Sequence, residues 1–316
     1  MPRRPGAAID LGSTSVHLLI ARPERTGLVV LDDESTFLGL GAAVDGPGAL
    51  GAAGRTTLAA TIASYVERAR EAGAPHPLVM GTEPLRRLAD ATRIVAEVSA
   101  LTGEPLAVLE HEEEALLTLV GLTAGRAVRS DILVVDIGGG SSELVEIGPG
   151  RLARAAGVQV GTGRLTRRIV DRDPPTPEHV AELGRAADAA FDWTPTRPPA
   201  EVVFVGGTAT NLLKLLRRAG DPDRDDRLDR EALRVARDLV TGTPAEMLAA
   251  TSGLREARIR LLAAGAAIIE TVLDRVGIEF GRVVDTGIRE GAIIAADRAG
   301  DGWRDRLDEL AHGWIA

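Results

Sequence analysis

Two stretches of this chain repeat one another, and that repeat limits the folds open to it more than any other feature. Residues 7–21 read AAIDLGSTSVHLLIA and residues 133–147 read LVVDIGGGSSELVEI. Each is an apolar run ending in Asp, then a turn of Gly, Ser and Thr, then an alternating stretch, the pattern of a β-hairpin with a small-residue tip. Laid over each other, Asp10 falls on Asp136, Gly12 on Gly138 and Ser15 on Ser141, a spacing of 126 residues. That is enough chain for one domain per copy. Duplicated domains facing one another across a cleft are the expected result. Around the repeats, periodicity predicts helices over 55–72, 85–102, 112–123, 178–191, 209–219 and 255–276, and strands over 77–82, 105–109, 202–205 and 282–285. The charged run 221–230 reads as a solvated loop and helix start. Strands alternating with helices give an α/β architecture.

Composition removes several classes of function. With no cysteine among 316 residues, disulfide scaffolds, thiolate-ligated metals and thiol nucleophiles are excluded. The one lysine, Lys214, lies in a helical run, so a GxxxxGK phosphate loop is absent. Aromatic residues are 3% of the chain, too few for a base-stacking platform, and the net charge of −9 gives no overall attraction for nucleic acid. The longest apolar run, residues 261–269, is far below the ~18–20 residues that span a bilayer. A cytoplasmic protein without nucleic-acid or membrane partners is expected, with a homodimer as one possible assembly.

Four strand ends run into small-residue turns: Gly12-Ser13-Thr14-Ser15, Gly138-Gly139-Gly140-Ser141-Ser142, Gly206-Gly207-Thr208 and Thr286-Gly287. Such turns let an anion approach backbone amides closely, and a following helix adds its own unpaired N–H groups. One such turn is most often only a tight connection; four, two of them preceded by Asp, point to phosphate. Asp10 and Asp136 end apolar runs, where a carboxylate is costly unless hydrogen-bonded or bound to a cation. Glu143, just past the second tip, returns toward Asp136 in a hairpin. The pair offers the oxygen donors that Mg²⁺ takes alongside water and phosphate.

These motifs resemble those of the exopolyphosphatase/guanosine pentaphosphate phosphohydrolase family, within the actin and sugar-kinase superfamily. The family's DLGSNS is similar to DLGSTS here, with Thr14 for Asn, and its DIGGGSTE to residues 136–143, with Ser142 for Thr. Its TxxLRxAxN is echoed from Thr82 to Asp90, its SGxEEA by residues 110–115, its GGTATN by residues 206–211, and its VxDxGxREG by residues 283–291. Pro84, Asp90 and His111 depart from the usual residues.

The resemblance implies two actin-like (ribonuclease H-like) domains with an interdomain cleft. Residues 1–125 form the first, 126–293 the second, and a helix over 294–316 packs back on the first. It implies Glu114 as the residue that orients or deprotonates water, with Glu113 a near competitor and Glu112 an exposed first-turn acid. Arg86 is the expected phosphate clamp and Arg87 a surface residue. Phosphate is expected at Gly12, Ser13, Thr14, Ser15, Gly138, Gly139, Gly140, Ser141, Gly207 and Thr208, and Mg²⁺ or Mn²⁺ at Asp136, Glu143 and Asp10. Arg289 is expected to fix a helix of the second domain by pairing with carboxylates. Arg164, Arg167 and Arg168, or Arg255, Arg258 and Arg260, are candidates for a basic track. His17 reads as structural, and Trp303 and Trp314 as packing for the last helix. The substrate implied is inorganic polyphosphate, with guanosine pentaphosphate second. The rivals are a nucleotide- or (p)ppGpp-binding protein without turnover and a small-molecule kinase, for which no acceptor-facing Asp base stands out.

Overall fold

The computed structural model describes residues 3–25, 27–151 and 154–312. The chain divides into two compact units, one of residues 1–127 and 286–316, the other of 128–285.

The first unit opens with three antiparallel strands, β1 (Gly6–Leu11), β2 (Ser15–Glu24) and β3 (Gly27–Phe37). Helices α1 (Leu40–Asp45) and α2 (Gly51–Glu71) lead to β4 (Leu78–Gly81), and α3 (Glu83–Arg87) and α4 (Ala91–Thr102) to β5 (Leu106–Val108). Helix α5 (His111–Thr123) follows. β4 and β5 run parallel to β1, giving the order β3-β2-β1-β4-β5. The predicted helix 85–102 is interrupted: Leu88 is extended, and Asp90 turns back to accept from the amides of Leu50 (3.0 Å) and Gly51 (3.2 Å) and from Arg55. Those two amides open α2, so Asp90 caps a helix far from it in sequence.

The second unit repeats the plan. β6 (Ile132–Ile137), β7 (Ser142–Ile147) and β8 (Arg154–Val158) are antiparallel. After α6 (Thr162–Ile169) and α7 (Pro177–Ala190) come β9 (Glu201–Val205), α8 (Gly206–Arg218) and a short β10 (Arg227–Asp229). Helices α9 (Arg230–Gly242), α10 (Ala245–Ser252), α11 (Glu256–Ile259) and α12 (Leu262–Val276) precede β11 (Phe280–Val284). The sheet order is β10-β11-β9-β6-β7-β8, and from β8 to β11 it matches the first sheet strand for strand. The duplication read from two hairpins thus extends to both sheets. Two expectations are corrected. The run 221–230 is more than a solvated loop, because Leu228 is fully buried and draws β10 onto β11, while Arg227 covers the Phe280 ring at 4.4 Å. The apolar stretch 255–276 is two helices, α11 and α12, rather than one.

The chain then returns to the first unit as α13 (Ile288–Ala299) and α14 (Leu307–Ala311). Residues 286–293, expected in the second domain, therefore lie in the first unit. Glycines explain the return: a Cβ on Gly121 of α5 would stand 2.7 Å from the Gly287 carbonyl, and one on Gly291 would collide with the Leu117 carbonyl. Only side-chain-free positions let these backbones approach so closely. Arg289 accordingly fixes the first unit, not the second, donating to the Leu18 carbonyl (3.2 Å) and Asp33 (2.6 Å). Trp303 is buried ahead of α14, whereas Trp314 lies outside the described residues.

Candidate active site

In the first unit, β1 delivers Asp10 opposite His17 of β2, and the turn between them closes with Gly12 N–H donating to the Ser15 carbonyl at 3.1 Å. The tip is held from outside by its carbonyls: Thr14 accepts from Leu38 (3.2 Å) and Gly39 (3.0 Å), and Ser13 from Gly41 (2.8 Å). Among the described residues, no backbone carbonyl takes the amide hydrogens of Ser13 and Thr14. Donors left over in a tight turn are what an anion requires.

The catalytic candidates come from α3 and α5. Glu110 caps α5 reciprocally with Glu113, whose carboxylate accepts the Glu110 amide at 2.8 Å. Glu113 also pairs with Arg304. Burial pushes its carboxyl up, but the Arg304 guanidinium and the Glu110 amide outweigh it and hold it below the usual carboxylate range. Glu112 is exposed, as expected. Glu114 is buried, 6% exposed, and is gripped by Arg86. The same Arg86 nitrogen donates to the Leu109 carbonyl, and its other nitrogen lies 3.0 Å from His111 Nδ1. Arg87 is exposed, as expected, and pairs with Glu83 (2.7 Å) and Asp45 (3.1 Å).

In the second unit Asp136 and Glu143 are direct cross-strand partners on β6 and β7. Such partners share a face of the sheet, with Cβ atoms ~4.5–5.5 Å apart. The turn repeats the first one: Gly138 N–H donates to the Ser141 carbonyl at 3.0 Å. Glu143 is buried and accepts from Ser141 Oγ at 2.7 Å. Gly206, at φ +79°, passes so close to the Asp136 carboxylate that a Cβ there would collide with it. Thr208 spends its hydroxyl proton on the Ile137 carbonyl at 2.7 Å, and Gly207 beside it is exposed.

The sequence reading missed three supports of these loops. Glu83, buried at the start of α3, accepts from Ser13 Oγ at 2.8 Å. His111, noted only as a departure, lies against Arg86. The start of α6 is built onto the second loop: Thr162 and Arg164 amides donate to the Gly138 and Gly139 carbonyls, each at 3.0 Å, and a Cβ on Gly161 would stand 2.6 Å from the backbone of Gly139 and Gly140. The Gly-Thr-Gly run at 161–163 was the available signal.

Each unit thus contributes a turn suited to an anion, and the second also holds a pair of carboxylates suited to a cation. The donor set at Asp136 and Glu143 is all oxygen, which fits a hard divalent ion such as Mg²⁺ or Mn²⁺ and is wrong for a soft one. Among the described residues, no helix is long and apolar enough to cross a membrane.

Residues 19–297 match the model of the Ppx/GppA phosphatase family. Over 305 residues the chain is 28% identical to exopolyphosphatase 1 of Mycobacterium tuberculosis, covering 90% of this chain and 86% of that one. It is 32% identical over 149 residues to guanosine-5'-triphosphate,3'-diphosphate pyrophosphatase of Vibrio cholerae, covering 47% of this chain and 30% of that one. In fold it is like the solved structure of an exopolyphosphatase from Cytophaga hutchinsonii, with TM-score 0.80 at 20% identity, 98% of this chain and 100% of that one covered. The repeated hairpins, the doubled sheet and a family match across most of the sequence place this chain in the Ppx/GppA phosphatase family, hydrolases of phosphoanhydride bonds.

Proposed function

We propose that this protein releases terminal orthophosphate from inorganic polyphosphate by in-line attack of water, with Glu114 as the group that orients the water and takes its proton. The observation that carries this reading is the contrast within one helical turn. Glu113 is committed to a cap and to Arg304, while Glu114 is buried beside an arginine that restrains its carboxylate. A held carboxylate within reach of water is what general-base help requires. Phosphoryl transfer needs alignment and charge stabilisation rather than a covalent intermediate on the protein.

Arg86 orients Glu114, and its guanidinium would also donate to a phosphoryl oxygen. The amides at the tips of the two turns, those of Ser13 and Thr14 and of Gly139 and Gly140, bind phosphate oxygens, whereas those of Gly12 and Gly138 close the turns. Asp136 and Glu143 would hold a divalent cation, with Asp10 the equivalent carboxylate of the first unit. Such an ion, when bound, neutralises charge on the phosphate oxygens. The likeness to an exopolyphosphatase over 90% of this chain supports polyphosphate as substrate. The shorter likeness to the Vibrio cholerae protein supports guanosine pentaphosphate as the second candidate. Orthophosphate release measured side by side on short polyphosphate, long polyphosphate and guanosine pentaphosphate, with Mg²⁺, decides between them. The reading requires the highest kcat/KM on polyphosphate, and no release from any of the three overturns it. A Mg²⁺ titration of Asp136→Asn is expected to need at least tenfold more metal for half-maximal rate.

A further inference from the structure

The hydrolysis described above makes no use of Glu83, although this carboxylate is 3% exposed and touches a phosphate loop. It stands at the first position of α3, directly after β4. One oxygen accepts the Ser13 hydroxyl at 2.8 Å; the other accepts Arg87, one turn on, at 2.7 Å. Next to it Thr82 ties the same junction to β1, its amide (3.3 Å) and hydroxyl (3.1 Å) both donating to the Leu11 carbonyl. A serine hydroxyl has one proton. A carboxylate that already accepts from a guanidinium accepts again at its other oxygen, so the Ser13 proton is taken.

We propose that Glu83 is a positioning residue for the first phosphate loop: it fixes the Ser13 side chain and withholds its proton from the substrate. Ser13 then presents only an oxygen acceptor, and the anion donors of this tip are its backbone amides. A loop whose hydroxyl also donated would grip every phosphate of a chain more tightly, the released product included. Glu83 therefore limits affinity in favour of departure. This inference rests on the polyphosphate reading of the same loop.

Binding of inorganic tripolyphosphate with Mg²⁺ by titration calorimetry, with every protein carrying Glu114→Gln so that hydrolysis plays no part, tests it. Glu83→Ala frees the Ser13 proton and is expected to tighten binding about tenfold, the value of one added hydrogen bond to a charged acceptor. In a Ser13→Ala background the same substitution is expected to change binding less than twofold, so the two changes are strongly non-additive. A melting curve shows whether Glu83→Ala folds. If it does not, Glu83→Gln serves, because Arg87 claims the amide oxygen and the NH₂ group then donates to Ser13, again freeing its proton. Equal tightening in both backgrounds would mean a charge effect without Ser13 and would overturn the inference. Unchanged or weaker binding in both would overturn it as well. Failure of the Glu114→Gln protein with Glu83 and Ser13 intact to bind tripolyphosphate in Mg²⁺ overturns the polyphosphate reading and this inference with it, whereas the other contrary results leave that reading standing.

Discussion

Glu113 and Glu114 are one residue, about 100°, apart around α5, and that rotation gives them different surroundings. Glu113 faces Arg304 and its own helix end, and its carboxyl is held below its ordinary value. A carboxyl lowered in the folded state adds stability above its unfolded value, near 4.3, and loses it as pH falls through the folded one. Glu113→Gln is therefore expected to cost up to about 1 kcal/mol at pH 7, the range of a partly exposed ion pair. The loss should fade in melts run below about pH 4. An undiminished loss at pH 3 would contradict the pairing. The motif letters EEA were visible in the sequence, but not which glutamate would be spent on the helix cap. That choice depends on Arg304, almost two hundred residues away. Glu83 was hidden for the same reason: its partner Ser13 lies 70 residues earlier, and local patterns carry no such contact.

The two hairpins were the most legible elements, because apolar alternation and a small-residue tip are local signals. Their register, Asp10 opposite His17 and Asp136 opposite Glu143, follows from tip length. Less legible were elements fixed by packing, such as β10, which one buried leucine holds on a sheet edge within a charged run. The start of α6 is another, since its amides complete the second loop. Gly161→Ala places a methyl against the Gly139–Gly140 backbone, and overpacking of this kind costs ~1–3 kcal/mol. Because the loop gives way first, kcat/KM for polyphosphate is expected to fall at least tenfold while the melting temperature drops only a few degrees. Unaltered kinetics would show that α6 does not set the loop.

Across the whole molecule, the second unit is one unbroken stretch of chain, whereas the first is completed by residues from 286 onward. Sequence alone set the return of the chain eight residues too late, because an REG motif beside a strand gives no sign of which unit its helix will cover. The close approach of α13 to α5 at Gly291 and Gly121 makes that helix part of the first unit's core. Residues 128–285 expressed alone are expected to melt cooperatively, and residues 1–127 alone to lack a cooperative transition. A folded 1–127 fragment would contradict the assignment. The central claim, that a restrained Glu114 activates water against a terminal phosphate, is tested most directly by single-turnover orthophosphate release from polyphosphate with Mg²⁺, wild type against Glu114→Gln. The expected result is a loss of about 10²–10⁴-fold in rate with substrate affinity changed less than threefold; a Glu114→Gln protein that turns over within threefold of wild type would contradict it.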